Sequence, residues 1–259
     1  MPVVLTLDAL TFAVSAVTLT AVKLPSAAGR ARPGLREDLG AGLAALRREP
    51  DVLVVIATFV LALAAASGFL TVGVIALAGQ ELGGHAGEYG LLLGIAGVAE
   101  VFGALVIARL HLRNLARTAV LAWVLLGAFR FPLGLATSAV LAAGLLAVTG
   151  FTSALTDIPL IALVQQRIPD RHLAKALGLW EAGISGAIAI APVIATIIIE
   201  NVGVSTGFML SGAALIVIGL VAALALNRTK GRGPVSSPAE HLADPAHQQP
   251  ADLVSVTAA

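Results

Sequence analysis

Residues 52–78 read VLVVIATFVLALAAASGFLTVGVIALA, a run with no charged side chain. A bilayer core about 30 Å thick needs roughly 20 apolar residues in a helix, and this run is long enough to cross with some tilt. It is apolar on nearly every face, unlike an amphipathic helix on the surface of a soluble domain. Six further stretches behave alike: 3–22, 89–108, 119–135, 139–164, 176–199 and 204–226. The fold class expected is therefore all-α, a polytopic membrane protein with seven transmembrane helices. The first stretch has no positive leader and no convincing small-residue cleavage site, so it is read as a retained helix.

Composition says the same. Of 259 residues, 58% are hydrophobic and 12% charged. An ordinary soluble domain carries about 25% charged residues, and this chain cannot clothe a globule with half of that. A net charge of +1 implies no polyanionic partner, so no nucleic acid is expected. The absence of cysteine removes disulfides and thiol chemistry.

Basic residues set the orientation. Lys23, Arg30, Arg32, Arg36, Arg47 and Arg48 flank the first connection. Arg109, Arg113 and Arg117 lie between the third and fourth stretches, Arg167, Arg171 and Lys175 between the fifth and sixth, and Arg228, Lys230 and Arg232 after the seventh. Fifteen of the 16 Lys and Arg thus fall on one side, with Arg130 alone toward the other. The positive-inside rule puts the amino terminus outside and the carboxyl terminus in the cytoplasm. The expected organisation is a first transmembrane helix (1–24), a basic cytoplasmic linker (25–51), a six-helix bundle (52–227) and a disordered cytoplasmic tail (228–259). In the linker, Leu35, Leu39, Leu43 and Leu46 recur at helical spacing between Pro33 and Pro50. That pattern predicts a short amphipathic helix on the membrane surface.

Ionisable groups inside a span are expensive, so each is a functional candidate. Glu100, mid-span in GVAEVFG, can hold a proton, a cationic substrate or an arginine. Asp157 precedes Pro159, whose missing N–H frees a carbonyl one turn upstream and marks a kink beside a carboxylate. Glu181 lies in the cytoplasmic third of the sixth stretch and is expected to pair with Lys175 or Arg171 at a gate or interface. Arg130 is a further gate or interface candidate, able to snorkel outward or, with reach along the membrane normal, to pair with Glu100. Asp8 is read as interfacial, and Pro192 as a second kink. No HExxH, GxSxG, P-loop or clustered His is present, and no enzyme, cofactor or metal is expected. A retinal protein needs a deep lysine, which Lys23, Lys175 and Lys230 do not supply.

The order of segments resembles the second half of a major facilitator superfamily transporter, most closely the bacterial drug, macrolide and siderophore exporters. Asp8-Ala-Leu-Thr-Phe-Ala-Val-Ser15 resembles the start of helix six, and Leu39-Gly-Ala-Gly42 through Arg47-Arg-Glu-Pro50 the linker before helix seven. Tyr89-Gly-Leu-Leu-Leu-Gly94, with Gly97, Gly103 and Arg109, resembles helix eight. Gln165-Gln-Arg-Ile-Pro169-Asp-Arg171 resembles the loop between helices ten and eleven. The chain departs from the family at Ala174 and Lys175, where Gly and Arg are usual, at Glu100, where a small apolar residue is usual, and at Asp157, where Asn is common. The resemblance implies a secondary transporter of the bacterial inner membrane, exporting small molecules by proton antiport and alternating access. It also implies a missing amino-terminal six-helix half as partner, besides the lipid bilayer and the substrate. The competing expectation is a non-transporting truncated protein or scaffold half.

Overall fold

The computed structural model describes residues 2–21, 34–81, 86–110 and 112–229. These residues are helical with no strand among them. The tail from 230, and with it His241 and His247, lies outside the described residues. The chain divides into two units, Met1–Asp38 and Leu39–Ala259.

In the first unit, helix α1 (Pro2–Ala21) contains a shorter apolar helix, Ala9–Thr20. Its hydroxyls bond their own backbone: Ser15 donates to the Thr11 carbonyl at 2.9 Å and Thr20 to that of Val17 at 2.7 Å. Polar side chains satisfied in this way tolerate an apolar setting. Asp8 falls in this helix, but its side chain lies outside the described residues.

The second unit is the bundle. Helix α2 (Leu35–Arg48) leads to α3 (Pro50–Gly68), which starts on Pro50 and carries Asp51 in its first turn. Proline at the first position gives up an N–H that has no helical partner anyway, and an acid there suits the helix dipole. The chain continues through two π-helical turns, Phe69–Gly73 and Leu77–Glu81. Then come α4 (Ala86–Ala108), α5 (Leu115–Arg130), α6 (Ala139–Arg167), α7 (Asp170–Val202) and α8 (Val204–Thr229). Asn114 caps α5 by accepting from the Arg117 N–H at 3.1 Å, and Ser138 caps α6 by accepting from that of Leu141 at 3.3 Å. Pro132 ends α5 in a 3-10 turn, Phe131–Leu135. Gly203 alone joins α7 to α8, at φ 83, a conformation that glycine adopts without a side-chain clash.

Among the described residues six helices are long and apolar enough to cross a membrane: Pro50–Gly79, Gly87–Ala108, Leu115–Leu135, Ala139–Arg167, His172–Val202 and Val204–Arg228. They coincide with the six later stretches of the sequence. Within the bundle α4 packs on α6, α5 lies between α6 and α8, and α3 rests on α7 and α8. The core has two parts. Toward the basic end, Phe59 sits edge-on to Trp123 and Trp180, with ring centroids 5.5 and 5.6 Å away. Toward the other end, Phe69 packs on Phe208 among Leu77, Leu133 and Leu146. Outward faces carry Val98, Val140, Val217 and Leu224, all more than half exposed, as lipid contact requires.

Helix α2 forms between its two prolines as expected, but its apolar side does not simply face lipid. Leu46 is buried in the core with Val52 and Ala176, and Gly42 lies against the Lys175 backbone. A Cβ on Gly42 would stand 2.9 Å from the Lys175 carbonyl oxygen. Leucine at the C-terminal end of α2 finds protein rather than lipid because α7 begins beside it.

Candidate functional site

Two glycines bring α4 and α6 together. A side chain on Gly103 would meet the Phe151 carbonyl oxygen at 2.6 Å, and one on Gly150 would collide with the Ala96 carbonyl. Close backbone approach of this kind is the role that small residues have between membrane helices. At this contact Glu100 of α4 reaches Ser153 of α6, whose hydroxyl donates to Glu100 Oε1 at 3.1 Å. Asp157 follows one turn along α6, half-buried. Its Oδ1 is 2.7 Å from the Thr156 hydroxyl, and the same hydroxyl is 2.7 Å from the Ser153 carbonyl. The two carboxyls picked from the sequence therefore share one polar patch, joined through Ser153 and Thr156.

Ser153 and Thr156 were not singled out in the sequence. Their signal is visible there: Thr149, Thr152, Ser153, Thr156 and Asp157 recur at helical spacing in an otherwise apolar segment. Thr149 and Thr152 bond their own helix at Leu146 and Val148. Pro159 lies buried in α6, which continues through it to Arg167.

Arg130 overturns the expectation of an outward side chain. It is only 5% exposed, and its Nη1 donates to the Ala66 carbonyl at 2.7 Å. The reason lies in α3. Where α3 gives way to the π-helical turn, the Phe69 N–H bonds the Ala66 and Ser67 carbonyls. In the same turn the Ala65 carbonyl accepts from Ser211 at 2.8 Å, and that of Ala66 lies within reach of Arg130. A strong carbonyl acceptor nearby replaces the water that snorkelling would have sought. Arg130 thus ties α5 to α3 and does not reach Glu100.

Glu181 is exposed on α7. It lies six positions after Lys175, hence about 120° away round the helix, so the two do not share a face. Lys175 is half-buried beside α2, and the Arg171 side chain lies outside the described residues. Pro192 is inside α7 without ending it, and its carbonyl accepts from Thr196 at 2.9 Å.

Two cavities flank the pair of helices. One, about 610 Å³, opens at the basic end between α4, α5 and α6, with Asp51, Arg113, Asn114, Gln166 and Arg167 in its wall. Ile158 and Pro159, the residues after Asp157, also line it. Beside it Arg167 and Glu49 are 3.6 Å apart, a solvent-exposed pair of small worth. The other, about 650 Å³, is an apolar groove lined by Leu91, Gly94, Val98, Phe102 and Ala147. Phe102 and Glu100 stand about 200° apart round α4, so this groove lies away from the carboxyls. Among the described residues no three His, Cys, Asp or Glu come together as a metal site.

No curated protein and no solved structure matches the chain. The sequence profile described as Major Facilitator Superfamily matches residues 54–257. That match covers the bundle built by α3 to α8, the helix pair that carries Glu100 and Asp157 included. With six helices among its described residues long and apolar enough to cross a membrane, the chain belongs to the Major Facilitator Superfamily of membrane transporters.

Proposed function

We propose that the chain supplies helices six to twelve, the carboxyl-terminal part, of a proton-coupled exporter of small molecules that works by alternating access. The observation that carries this reading is the shared patch of Glu100 and Asp157 between α4 and α6. Two carboxyls on an apolar helix pair hold at least one proton or cation there, because two bare charges would be too costly. The cavity at the basic end runs to Pro159 and offers water a route toward Asp157. Glu181, Lys175 and Arg171 would serve at the cytoplasmic gate. In this reading the protein sits in a bacterial inner membrane, amino terminus outside and carboxyl terminus in the cytoplasm.

The need for a second half is supported by burial. The most apolar stretches of α4 and α7 are 22% and 17% buried, against 50% for those of α3 and α5. Gly94 and Gly97 on α4 and Gly178 and Gly186 on α7 have nothing within 4 Å of where a side chain would start. Those faces suit close packing on an amino-terminal bundle. By the same observation, this chain without such a partner would be a scaffold half that does not transport.

The test is proton movement in everted membrane vesicles bearing the protein from its whole gene, with ethidium as the transported probe and a pH-sensitive dye. Glu100→Gln and Asp157→Asn are each expected to lower ethidium-driven proton movement at least tenfold. Unchanged movement in both variants overturns the assignment of the carboxyls.

A further inference from the structure

A threonine hydroxyl has one proton and two lone pairs. Thr156 Oγ1 stands 2.7 Å from two oxygens, the Ser153 carbonyl and Asp157 Oδ1. The carbonyl can only accept. A threonine bonding back to its own helix is ordinary. A carboxyl at the same distance on the same hydroxyl is not, because one proton cannot serve both oxygens fully.

The count leaves two arrangements. When Asp157 is protonated, it donates to Thr156 Oγ1, and Thr156 gives its own proton to the Ser153 carbonyl. When Asp157 is ionised, Thr156 turns its proton to the carboxylate and the Ser153 carbonyl loses that bond. Ser153 is also the residue whose hydroxyl holds Glu100. We propose that Thr156 is a positioning residue, a hydroxyl rotor that reports the protonation of Asp157 to the Ser153 carbonyl and so to the contact between α6 and Glu100 of α4.

This inference rests on Asp157 as a proton-binding group and names how its proton is felt by the helix pair. Glu100 stands on the helix packed against this turn, bound to Ser153. The other helices packed on α6 bring Asp51 at the start of α3, Arg117 and Arg130 at the two ends of α5, and Lys175 and Glu181 on α7. Pro159 adds to the sensitivity of this turn. It has no N–H for the Leu155 carbonyl, so the segment already lacks one helical bond beside the rotor.

The test is isotope-edited infrared difference spectroscopy on the full chain in lipid nanodiscs, with serine labelled at its carbonyl carbon. Ser153→Ala identifies the Ser153 band. On acidification, the wild type should show an Asp157 carboxylic band, absent in Asp157→Asn, together with a shift of the labelled Ser153 carbonyl. Thr156→Val should abolish the Ser153 shift while the carboxylic band still titrates, and Thr156→Ser should restore it. A Ser153 shift that survives in Thr156→Val overturns the rotor. So does a titrating Asp157 with no Ser153 shift in the wild type. If no carboxylic band depends on Asp157, the proton-binding reading itself fails, and the rotor with it.

Discussion

Substituting alanine for Gly150 tests the α4–α6 contact most sharply. A methyl group there would meet backbone atoms of α4: the Ala96 carbonyl oxygen, its carbonyl carbon at 2.9 Å and its Cα at 3.1 Å. Backbone cannot rotate out of the way as a side-chain tip can. Relaxed carbon contacts sit at about 3.5–4.0 Å, so the helices must part by on the order of 1 Å. Overpacking of this kind costs about 1–3 kcal/mol. For a chain of this size, 2 kcal/mol lowers an unfolding midpoint by about 4–8 °C. The same separation carries the 3.1 Å Ser153–Glu100 hydrogen bond beyond bonding range. Gly144, also on α6, is the control, because nothing lies within 4 Å of its side-chain position. Alanine there should hold or raise the midpoint, since it is the better helix former. The assay is thermal unfolding in one detergent, followed by fluorescence of Trp123 and Trp180, both at least half-buried in the bundle. Equal midpoints for Gly150→Ala and Gly144→Ala would refute the close approach.

Three other substitutions probe separate links. Arg130→Ala removes a charge-assisted bond to the Ala66 carbonyl and should cost about 2 kcal/mol in the same melting assay; an unchanged midpoint would mean that the guanidinium reaches water instead. Leu46→Ala should cost about 2–4 kcal/mol and speed proteolysis of the linker, because α2 would lose its anchor in the core; resistance equal to wild type would refute the docking. Gly203→Ala forces a side chain into φ 83, ψ 165, a region that glycine alone adopts readily, and should cost about 1–3 kcal/mol; an unchanged midpoint would argue against that turn.

The spans were legible because lipid leaves so few choices. An uncharged run from 52 to 78 can only cross, and Pro132 and Ser138 mark the ends that the helices adopt. Helix α2 was bracketed by Pro33 and Pro50 in the same way. What escaped depended on neighbours. Arg130 turns inward because the Ala66 carbonyl of α3, distant in sequence, lies within reach of its guanidinium. Leu46 leaves the lipid face because α7 starts beside α2. Glu100 and Asp157 were each visible as costly charges, but their union needed the adjacency of α4 and α6. That adjacency is written in Gly103 and Gly150, two glycines among many. Ser153 and Thr156 were hidden differently, as small hydroxyls that any membrane helix can hold by bonding to its own backbone.

The central claim is that the carboxyls of α4 and α6 form one site, and the chain is well suited to a direct test because it contains no cysteine. Glu100→Cys with Ser153→Cys, treated in native membranes with dibromobimane, should give the fluorescent bridged product. Val101→Cys with Ser153→Cys should not, since Val101 is exposed on another face of α4. Bridging of the first pair alone is the predicted result. Failure of the first pair, with both thiols still labelled by a single-site maleimide, would contradict the site.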